Sequence, residues 1–264
     1  TLASGIDKTS ISDSGDATAI TIDSSENVGI GVTPNSGWTA TNSKALQMGT
    51  QGSLWGNNGG SKGIAVSDNM YWDNANMRYI TTDEASQHYQ SAGTHYFRVA
   101  SSGTADSAIS WTTAMTIDNA GIVTKPTQPA FQVDKNADQT LTVNSEDTVT
   151  WEDEVFDVGS NFASNTFTAP VTGKYFLQAQ ARIDSFDTAA TYYRWSIETS
   201  NQIRHQIIEP EFAVDLSYYT MSVSGVFQLD AGDIANVKAR QVAGTASHID
   251  DTISYTNFCG YLLG

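Results

Sequence analysis

The feature that most constrains the fold is the strict alternation of KYFLQAQARI, residues 174–183. In an extended chain the side chains point alternately to opposite faces, so five apolar side chains share one face of this segment. Gln178, Gln180 and Arg182 share the other face. A second segment, YYTMSVSGVFQL at 218–229, alternates in the same way. Without helical periodicity around them, these segments predict an all-β C-terminal half of roughly ten strands, as in a sandwich or jelly roll.

A domain boundary is indicated by TKPTQPAF, residues 124–131, which holds two prolines in four residues. Proline lacks the amide donor of a strand and stiffens a linker. We therefore predict a β-rich domain at 1–125, a Pro-containing linker at 126–130 and a second domain at 131–264.

The N-terminal half contains a repeated strand signal. AITID at 19–23 precedes a polar turn and VGIGV, and AMTID at 114–118 precedes NAGIV. Each copy predicts a hairpin, one at either end of the domain. Aromatic segments between them, separated by Asn and Gly turns, predict an antiparallel meander. The segment TTDEASQHYQ is compatible with one helical turn capped by Thr82 or Asp83.

Charge and cysteine content exclude several classes of function. The 264 residues carry a net charge of −16, which argues against nucleic acid and against a bare anionic membrane as partners. No apolar run approaches the ~18 residues of a membrane span. The single cysteine, Cys259, excludes an intrachain disulfide and a thiolate metal cage, and we expect a buried, inert thiol.

Four motifs in the second half occur together: PAFQV, FTAPVTGKYF, LDAGDI and FCGYLL. In this order they resemble the C1q-like family, relatives of the tumour necrosis factor jelly roll, over about residues 129–264. The resemblance implies a ten-strand jelly roll that forms a homotrimer and recognises ligands through its loops. Some members bind calcium, so Ca²⁺ stays open as a ligand although no motif places its site. The core or near-axis positions that it implies are Phe131, Tyr175, Phe176, Phe227, Gly260 and Leu262.

The first half resembles phage tail-fibre proteins. TIDSSENVGIGVTP is similar to a repeat of trimeric fibre shafts, and YWDNANMRYITTDEASQHYQ is similar to segments of marine phage virion proteins. This resemblance implies a fragment of a trimeric viral tail fibre, located on the virion and extracellular. No collagen-like Gly-X-Y run is present, so a β-shaft would hold the trimer together.

No enzyme motif is present: the sequence lacks G-x-S-x-G, a P-loop and H-E-x-x-H, and we expect a non-enzymatic protein. Acidic clusters at 145–157 and 248–251 would suit glycoside hydrolysis or calcium binding, but solvated loops are the favoured interpretation. His88 and His95 would suit a metal if a hairpin joined them. Stacking or hydrogen bonding within an aromatic surface is the favoured interpretation of that pair.

Carbohydrate recognition needs an aromatic platform beside Asp, Asn or Gln side chains. Three aromatic segments and one acidic loop of the C-terminal tip fit that pattern, although interface or core packing is the favoured interpretation of each aromatic segment. The candidate ligand-binding residues are Tyr71, Trp72, Asp73, Tyr192, Tyr193, Trp195, Asp215, Tyr218, Tyr219, His248, Asp250 and Asp251.

The sequence therefore predicts a homotrimeric, all-β adhesin of a phage tail fibre that recognises a host-surface glycan or protein and contacts other virion proteins. One alternative is a purely structural decoration or trimerisation protein. Another is a capsule depolymerase.

Overall fold

The computed structural model of the protein describes residues 10–12, 18–57, 59, 62–252 and 254–264. All regular structure among them is β-strand, so the all-β prediction is confirmed. The chain divides into two compact units, Thr1–Pro126 and Thr127–Gly264. No helix in the described part of the chain has the length and hydropathy that a membrane span requires.

The N-terminal unit is built from short strands joined by polar turns. Their bounds are β1 Ser10–Ser12, β2 Thr18–Ile22, β3 Val28–Ile30, β4 Ser43–Met48, β5 Gly52–Asn57, β6 Gly63–Asp68, β7 Met70–Trp72, β8 Met77–Tyr79, β9 Asp83–Ser91, β10 Thr94–Gly103, β11 Thr112–Ile117 and β12 Val123–Thr124.

Ten of these strands form one sheet in the order β1-β2-β3-β4-β5-β6-β9-β10-β11-β12. Neighbours are antiparallel except β3 and β4, which are parallel. Strands β7 and β8 form a separate ribbon. The meander prediction therefore holds apart from the one parallel pair.

The repeated motif forms the two predicted hairpins, β2–β3 and β11–β12. Both turns are closed by an aspartate, because Asp23 Oδ1 accepts the backbone amides of Ser25 and Asn27, and Asp118 Oδ1 accepts those of Ala120 and Ile122. The turn then needs a left-handed residue, which is Glu26 (φ 65°) in one copy and Gly121 (φ 81°) in the other.

One face of this sheet is covered and the other is open among the described residues. Trp38 and Trp55 pack on the covered side against Met70 and Tyr71 of the β7–β8 ribbon. The open face carries apolar side chains that alternate with the buried ones: Met48, Leu54, Ile64, Val66 and Val99 are all at least 37% exposed.

The C-terminal unit is also entirely β among its described residues. Its strands are β13 Ala130–Asp134, β14 Gln139–Thr140, β15 Glu146–Thr148, β16 Asp153–Val158, β17 Phe162–Ala163, β18 Thr166–Thr168, β19 Gly173–Phe186, β20 Tyr192–Thr199, β21 Ile203–Ile208, β22 Leu216–Leu229, β23 Ile234–Val242, β24 His248–Ile249 and β25 Asn257–Leu262.

These strands form two antiparallel sheets that pack face to face as a jelly-roll sandwich. The seven-stranded sheet runs β14-β24-β19-β25-β13-β16, with β22 paired to β19. The six-stranded sheet runs β17-β18-β23-β20-β21, with β15 paired to β23. Trp195 of the second sheet donates its indole N–H to the Ala179 carbonyl of the first, at 3.2 Å.

The predicted alternation of β19 is confirmed, since Tyr175, Leu177 and Ala179 are buried and the residues between them face outward. Of the positions that the family resemblance implies, Phe131, Tyr175 and Phe227 are in the core. Gly260 is buried where a Cβ would overlap Leu177 and Phe131. Phe176 and Leu262 are only partly buried.

Two sequence expectations need correction. The proposed helical turn beyond Thr82 is strand β9, which is paired on both sides by β6 and β10. Cys259 is half-buried rather than fully buried, and its thiol contacts Gln178 Oε1 at 3.4 Å. Burial raises the pKa of the Cys259 thiol, which favours its protonated form.

Candidate functional site

The candidate site lies on the outer face of the seven-stranded sheet, here called the head face. At one end, cross-strand pairing aligns an apolar row of Val158, Ala130, Tyr261, Phe176 and Val226. Tyr261 is 47% exposed and Val226 50%, and the rings of Phe176 and Tyr261 lie 5.5 Å apart. An exposed contiguous row of this kind is typical of an interaction surface.

The middle of the head face is polar, with small or uncharged side chains. Gln132, Cys259, Gln178 and Ser224 form one cross-strand row. Amides and hydroxyls of this size allow close approach of a second surface while offering hydrogen bonds to it.

The opposite end, here called the charged end, consists of Arg182, Asp184, Tyr218, Asp250 and Tyr255. The Arg182 guanidinium donates from Nε to Asp250 Oδ2 at 3.0 Å and from Nη2 to the same oxygen. Arg182 Nε also lies 3.4 Å from Asp184 Oδ1. Its carbon Cζ lies 4.2 Å from the ring centroids of both Tyr218 and Tyr255, so two cation–π contacts hold it.

The two carboxyls that share Arg182 differ in their proton affinity. Burial and the neighbouring Asp250 charge raise the pKa of Asp184 above its ordinary value. For Asp250, burial alone would raise the pKa, but hydrogen bonds from Thr252 and Arg182 outweigh it and lower the pKa. Asp184 Oδ1 is buried and accepts no hydrogen bond from the described residues, so its contact with Arg182 is electrostatic.

Several predicted residues gather around this end. His248 pairs with Asp184, and Asp184 with Tyr218, in one row across β24, β19 and β22. Asp215 Oδ1 accepts from Thr188 N at 2.9 Å and Thr188 Oγ1 at 2.6 Å, and these bonds lower its pKa. Asp251 is exposed nearby.

A cleft of about 390 Å³ lies beside Asp215. Its lining is mostly polar and comprises Ser185, Asp187, Asp215, Leu216, Ser217, Thr245 and Ala246. It belongs to the same region of the sheet as the charged end, since Ser185 directly follows Asp184.

Other predicted ligand residues are structural. Tyr193 and Trp195 are 1% and 0% exposed, so they are core residues and their assignment as ligand contacts is wrong. Tyr219 stacks on Phe186 at 4.7 Å, on the core side of β22. Tyr192 is half-buried in the six-stranded sheet, where it pairs with Val242. It therefore lies away from the row of His248 and Tyr218 in the seven-stranded sheet.

The candidate ligand residues of the N-terminal unit also differ in burial and in hydrogen bonding. Tyr71 is buried and donates its hydroxyl to Asp106 Oδ1 at 2.9 Å, and burial with this bond raises its pKa to about 12, so it is not a ligand contact. Asp73 is ion-paired with Arg78, whose hydrogen bond lowers the Asp73 pKa to about 2. Trp72 remains half-exposed on the rim of a cleft.

Three acidic residues of the segment 145–157 make contacts within the fold. Glu146 pairs with Arg194, Glu152 with the buried Lys135, and Asp147 Oδ2 accepts the Thr142 amide at 2.6 Å. These three carboxyl groups are therefore held by contacts within the fold rather than solvated as free loop residues.

The hairpin β9–β10 does bring the two histidines together: His88 Nε2 lies 3.2 Å from His95 Nδ1, with the rings stacked 5.4 Å apart. His88 also stacks on Phe97 at 4.5 Å. Within the described residues, no three His, Cys, Asp or Glu side chains are grouped as a metal site. The geometry is that of the predicted stacked pair.

Sequence reasoning did not select Arg182, Asp184 or Tyr255. The signal available was that Arg182 ends the polar face of the alternating segment. Its partner Asp250 lies 68 residues away and is brought near only by the pairing of β24 with β19.

No family model matches the chain, and no curated protein matches it in sequence. Among solved structures, it is similar to the globular domain of zebrafish complement 1qA protein, at 20% identity and a TM-score of 0.41, covering 52% of this chain and 98% of that one. It is also similar to murine APRIL (19%, TM-score 0.37, 52% and 99%) and to Eiger TNF from S. frugiperda (15%, TM-score 0.39, 52% and 94%). The jelly-roll assignment itself rests on the strand pairing described above.

Proposed function

We propose that the chain is part of a viral tail fibre, a homotrimeric and non-enzymatic adhesin that recognises a host-surface glycan or protein through its C-terminal unit. The observation that carries the proposal is the graded head face: an apolar row at one end, a polar middle, and a charged, aromatic end. One surface thus carries an apolar row suited to self-association and a charged, aromatic end suited to recognition.

Self-association is supported by where the apolar side chains lie. The chain has a net charge of −16, yet the row of Tyr261, Phe176 and Val226 contains no acidic residue. Removing exposed apolar surface of this kind from water is favourable, by about 25 cal/mol for each Å² that is buried. A second copy offers the same row, and the motif resemblance implies three copies. The open face of the N-terminal sheet offers a further apolar surface.

Recognition is supported by the charged end. Tyr218 is 56% exposed and Tyr255 44%, so both rings present an accessible edge or face beside the Arg182 guanidinium. Aromatic and Arg side chains dominate the energetics of recognition surfaces. Three copies of a weak site on one trimer raise the avidity without any new contact.

The structural alternative is supported by a specific observation: Arg182 is already saturated by Asp250, Asp184 and two rings. Such a network stabilises the unit without any ligand. In that case the protein would trimerise and cap a fibre but bind no receptor.

The trimer is tested by sedimentation of the whole chain, for which we expect three times the 28.4 kDa of one chain. Tyr261→Glu should shift the protein toward monomer. Ile207→Glu is the matched control, because Ile207 is similarly exposed, at 49%, but lies on β21 of the other sheet. A wild-type monomer, or an equal effect of the two variants, would contradict the trimer.

Recognition is tested on a glycan array and a panel of bacterial cells, using wild type, Tyr218→Ala and the control Ile207→Ala. We expect binding by wild type and the control and loss in Tyr218→Ala. A well-folded trimer that binds nothing on either surface favours the structural alternative. Falling viscosity of a capsular polysaccharide on incubation would instead favour a depolymerase.

A further inference from the structure

The N-terminal unit contains a cleft whose described lining residues are aromatic or amide-rich and include no charged side chain. It has a volume of about 380 Å³ and is lined by Asn42, Trp55, Asn57, Gly59, Trp72, Asn74, Met77 and Tyr89. We refer to these residues as the aromatic cleft. The volume falls within the range of roughly 300–1,000 Å³ that small-molecule sites occupy.

The aromatic cleft has a flat apolar wall. Trp55 and Trp72 have ring planes within 4° of each other and centroids 6.5 Å apart, and Trp55 stacks on Tyr89 at 6.1 Å. Trp55 is 2% exposed and forms the floor, whereas Trp72 and Tyr89 are half-exposed. A half-exposed indole on a rigid floor is suited to stacking against an apolar ring face.

The polar atoms of the surrounding aromatic cluster divide into two groups. Five Trp and Tyr side chains bond internally: Trp38 to Gln47, Trp55 to Ser67, Tyr71 to Asp106, Tyr79 to Ser101 and Trp111 to Met77. Trp72 Nε1 and Tyr89 Oη, which belong to the aromatic cleft, have no partner among the described residues, and neither has the hydroxyl of Tyr96, which stacks on Tyr89 at 5.9 Å outside the cleft lining. Their hydrogen-bonding capacity is directed to solvent or to a ligand.

Three amide side chains surround this wall. Asn42 and Asn74 are exposed, and Asn57 is half-buried with Oδ1 accepting the Gly59 amide at 2.7 Å. Asn57 Nδ2 and the amides of Asn42 and Asn74 have no hydrogen-bond partner within the part of the chain that the structure describes. An amide offers both donors and an acceptor, which matches the hydroxyl groups of a sugar.

The turn that carries Trp72 and Asn74 is fixed in place. Asp73 Oδ1 accepts the Ala75 amide at 2.9 Å and the Asn76 amide at 2.6 Å, and Asp73 pairs with Arg78. Asn74 itself adopts φ 74° within this turn. A site whose side chains are already positioned loses less entropy when it binds.

From these observations we infer that the aromatic cleft is a binding site for a neutral saccharide, with Trp72 stacking on a pyranose ring and Asn42, Asn57 and Asn74 bonding its hydroxyls. A neutral sugar is specified because none of the described residues that line the cleft is cationic and could hold a carboxylate, and the chain as a whole is strongly acidic. The site lies in the N-terminal unit and is independent of recognition at the charged end.

The test is titration of the full chain, followed by tryptophan fluorescence and by saturation-transfer NMR. The neutral probes are lactose, maltose, mannobiose and diacetylchitobiose, and the acidic probe is galacturonic acid. We expect at least one neutral probe to bind and galacturonic acid not to bind. Trp72→Ala should weaken that binding by about tenfold or more through loss of the stacking ring.

Milder variants keep the test decisive if Trp72→Ala unfolds the unit. Trp72→Phe should retain part of the binding, and Asn42→Ala should reduce it several-fold. Asn76→Ala is the matched control, since Asn76 is an exposed amide of the same turn that does not line the cleft, and it should bind as wild type. Tyr218→Ala in the C-terminal unit should also bind as wild type.

Three results would overturn the inference. One is that none of the neutral probes binds at millimolar concentration. Another is that binding is unchanged in both Trp72→Ala and Asn42→Ala. The third is that binding is lost in Tyr218→Ala alone, which would place the sugar in the C-terminal unit.

Discussion

The two units cover their sheets in different ways. The C-terminal unit packs two sheets against each other, so each strand has a buried side supplied by its own chain. The N-terminal unit has one ten-stranded sheet, and a short ribbon with adjoining loops covers one side of it. On the other side, Leu54, Ile64 and Val66 face solvent. The C-terminal unit therefore has a core between two sheets, while the N-terminal unit leaves one apolar face of its sheet uncovered among the described residues.

The largest effect that would test this difference is the loss of a central core side chain. Trp195 is 0% exposed and joins both sheets of the C-terminal unit. Trp195→Ala should destabilise that unit by about 3–5 kcal/mol, because it leaves a cavity between the two sheets. Hydrogen exchange followed by mass spectrometry should show faster exchange in β19 and β20. Equal loss of protection in the N-terminal sheet would mean that the units do not have separate cores.

The next effect concerns a buried charge. The Lys135 side chain is 0% exposed, and its ammonium donates to Glu152 Oε1 at 3.1 Å and to Thr150 O at 3.1 Å. Glu152→Ala should cost about 3 kcal/mol because it leaves this charge uncompensated, whereas Lys135→Met should cost far less. Glu154→Ala, at an exposed position on the next strand, is the control for urea unfolding. If Lys135→Met is the more damaging change, the ammonium is stabilising in its own right.

Much of the strand structure of the two units was predictable from the sequence. The alternation of 174–183 specified which face of β19 is buried, and the repeated Asp-containing turns specified two hairpins. The strand β9 was missed because Glu, Ala and Gln favour helices, while pairing with β6 and β10 outweighs that local preference. Tyr193 and Trp195 were candidate ligand residues with core packing as the other interpretation, and with Ile197 they follow the period of two that marks a buried face.

The candidate sites were less predictable for a geometrical reason. The charged end needs Arg182 and Asp250 to meet, and the aromatic cleft needs Trp55, Trp72 and Tyr89 to meet. Each of these contacts depends on strand order, which local pattern does not encode. Composition pointed to aromatic and acidic segments, but only the pairing separates core rings such as Tyr71 from accessible ones such as Trp72.

A smaller effect distinguishes the open face of the N-terminal sheet from ordinary surface. Val66 is 57% exposed, so Val66→Lys should change the stability of the isolated fold by less than about 0.5 kcal/mol. If a second copy covers this face, the same change should raise the monomer fraction in sedimentation. Ile122→Lys is the control, since Ile122 is 58% exposed but lies in the β11–β12 turn. Identical sedimentation of both variants and wild type would exclude the face as an assembly surface.

The Asp73 carboxyl group of the N-terminal unit should make the stability of that unit depend on pH. The hydrogen bond from Arg78 lowers the Asp73 pKa from 3.8 to about 2. Its contribution to stability is therefore present above about pH 4 and is lost as the pH falls through about 2. Asp73→Asn should lower the melting temperature at pH 7, and the difference from wild type should shrink on acidification. A difference that stays constant down to pH 2 would show that the ion pair does not act through the Asp73 charge.

The smallest expected effect has the opposite sign and lies in the C-terminal unit. Burial and the Asp250 charge raise the Asp184 pKa above 3.8, so the folded state holds that proton more tightly than the unfolded state. Stability therefore declines as the pH rises from the unfolded pKa through the folded one. Asp184→Asn should leave the melting temperature at pH 7 unchanged or slightly higher, and the gain should vanish below the unfolded pKa. Carboxyl-carbon NMR would measure both titrations directly. A melting temperature that falls in Asp184→Asn at pH 7 would mean that its contact with Arg182 outweighs burial, and the charged end would then be a structural ion-pair network like the one at Asp73.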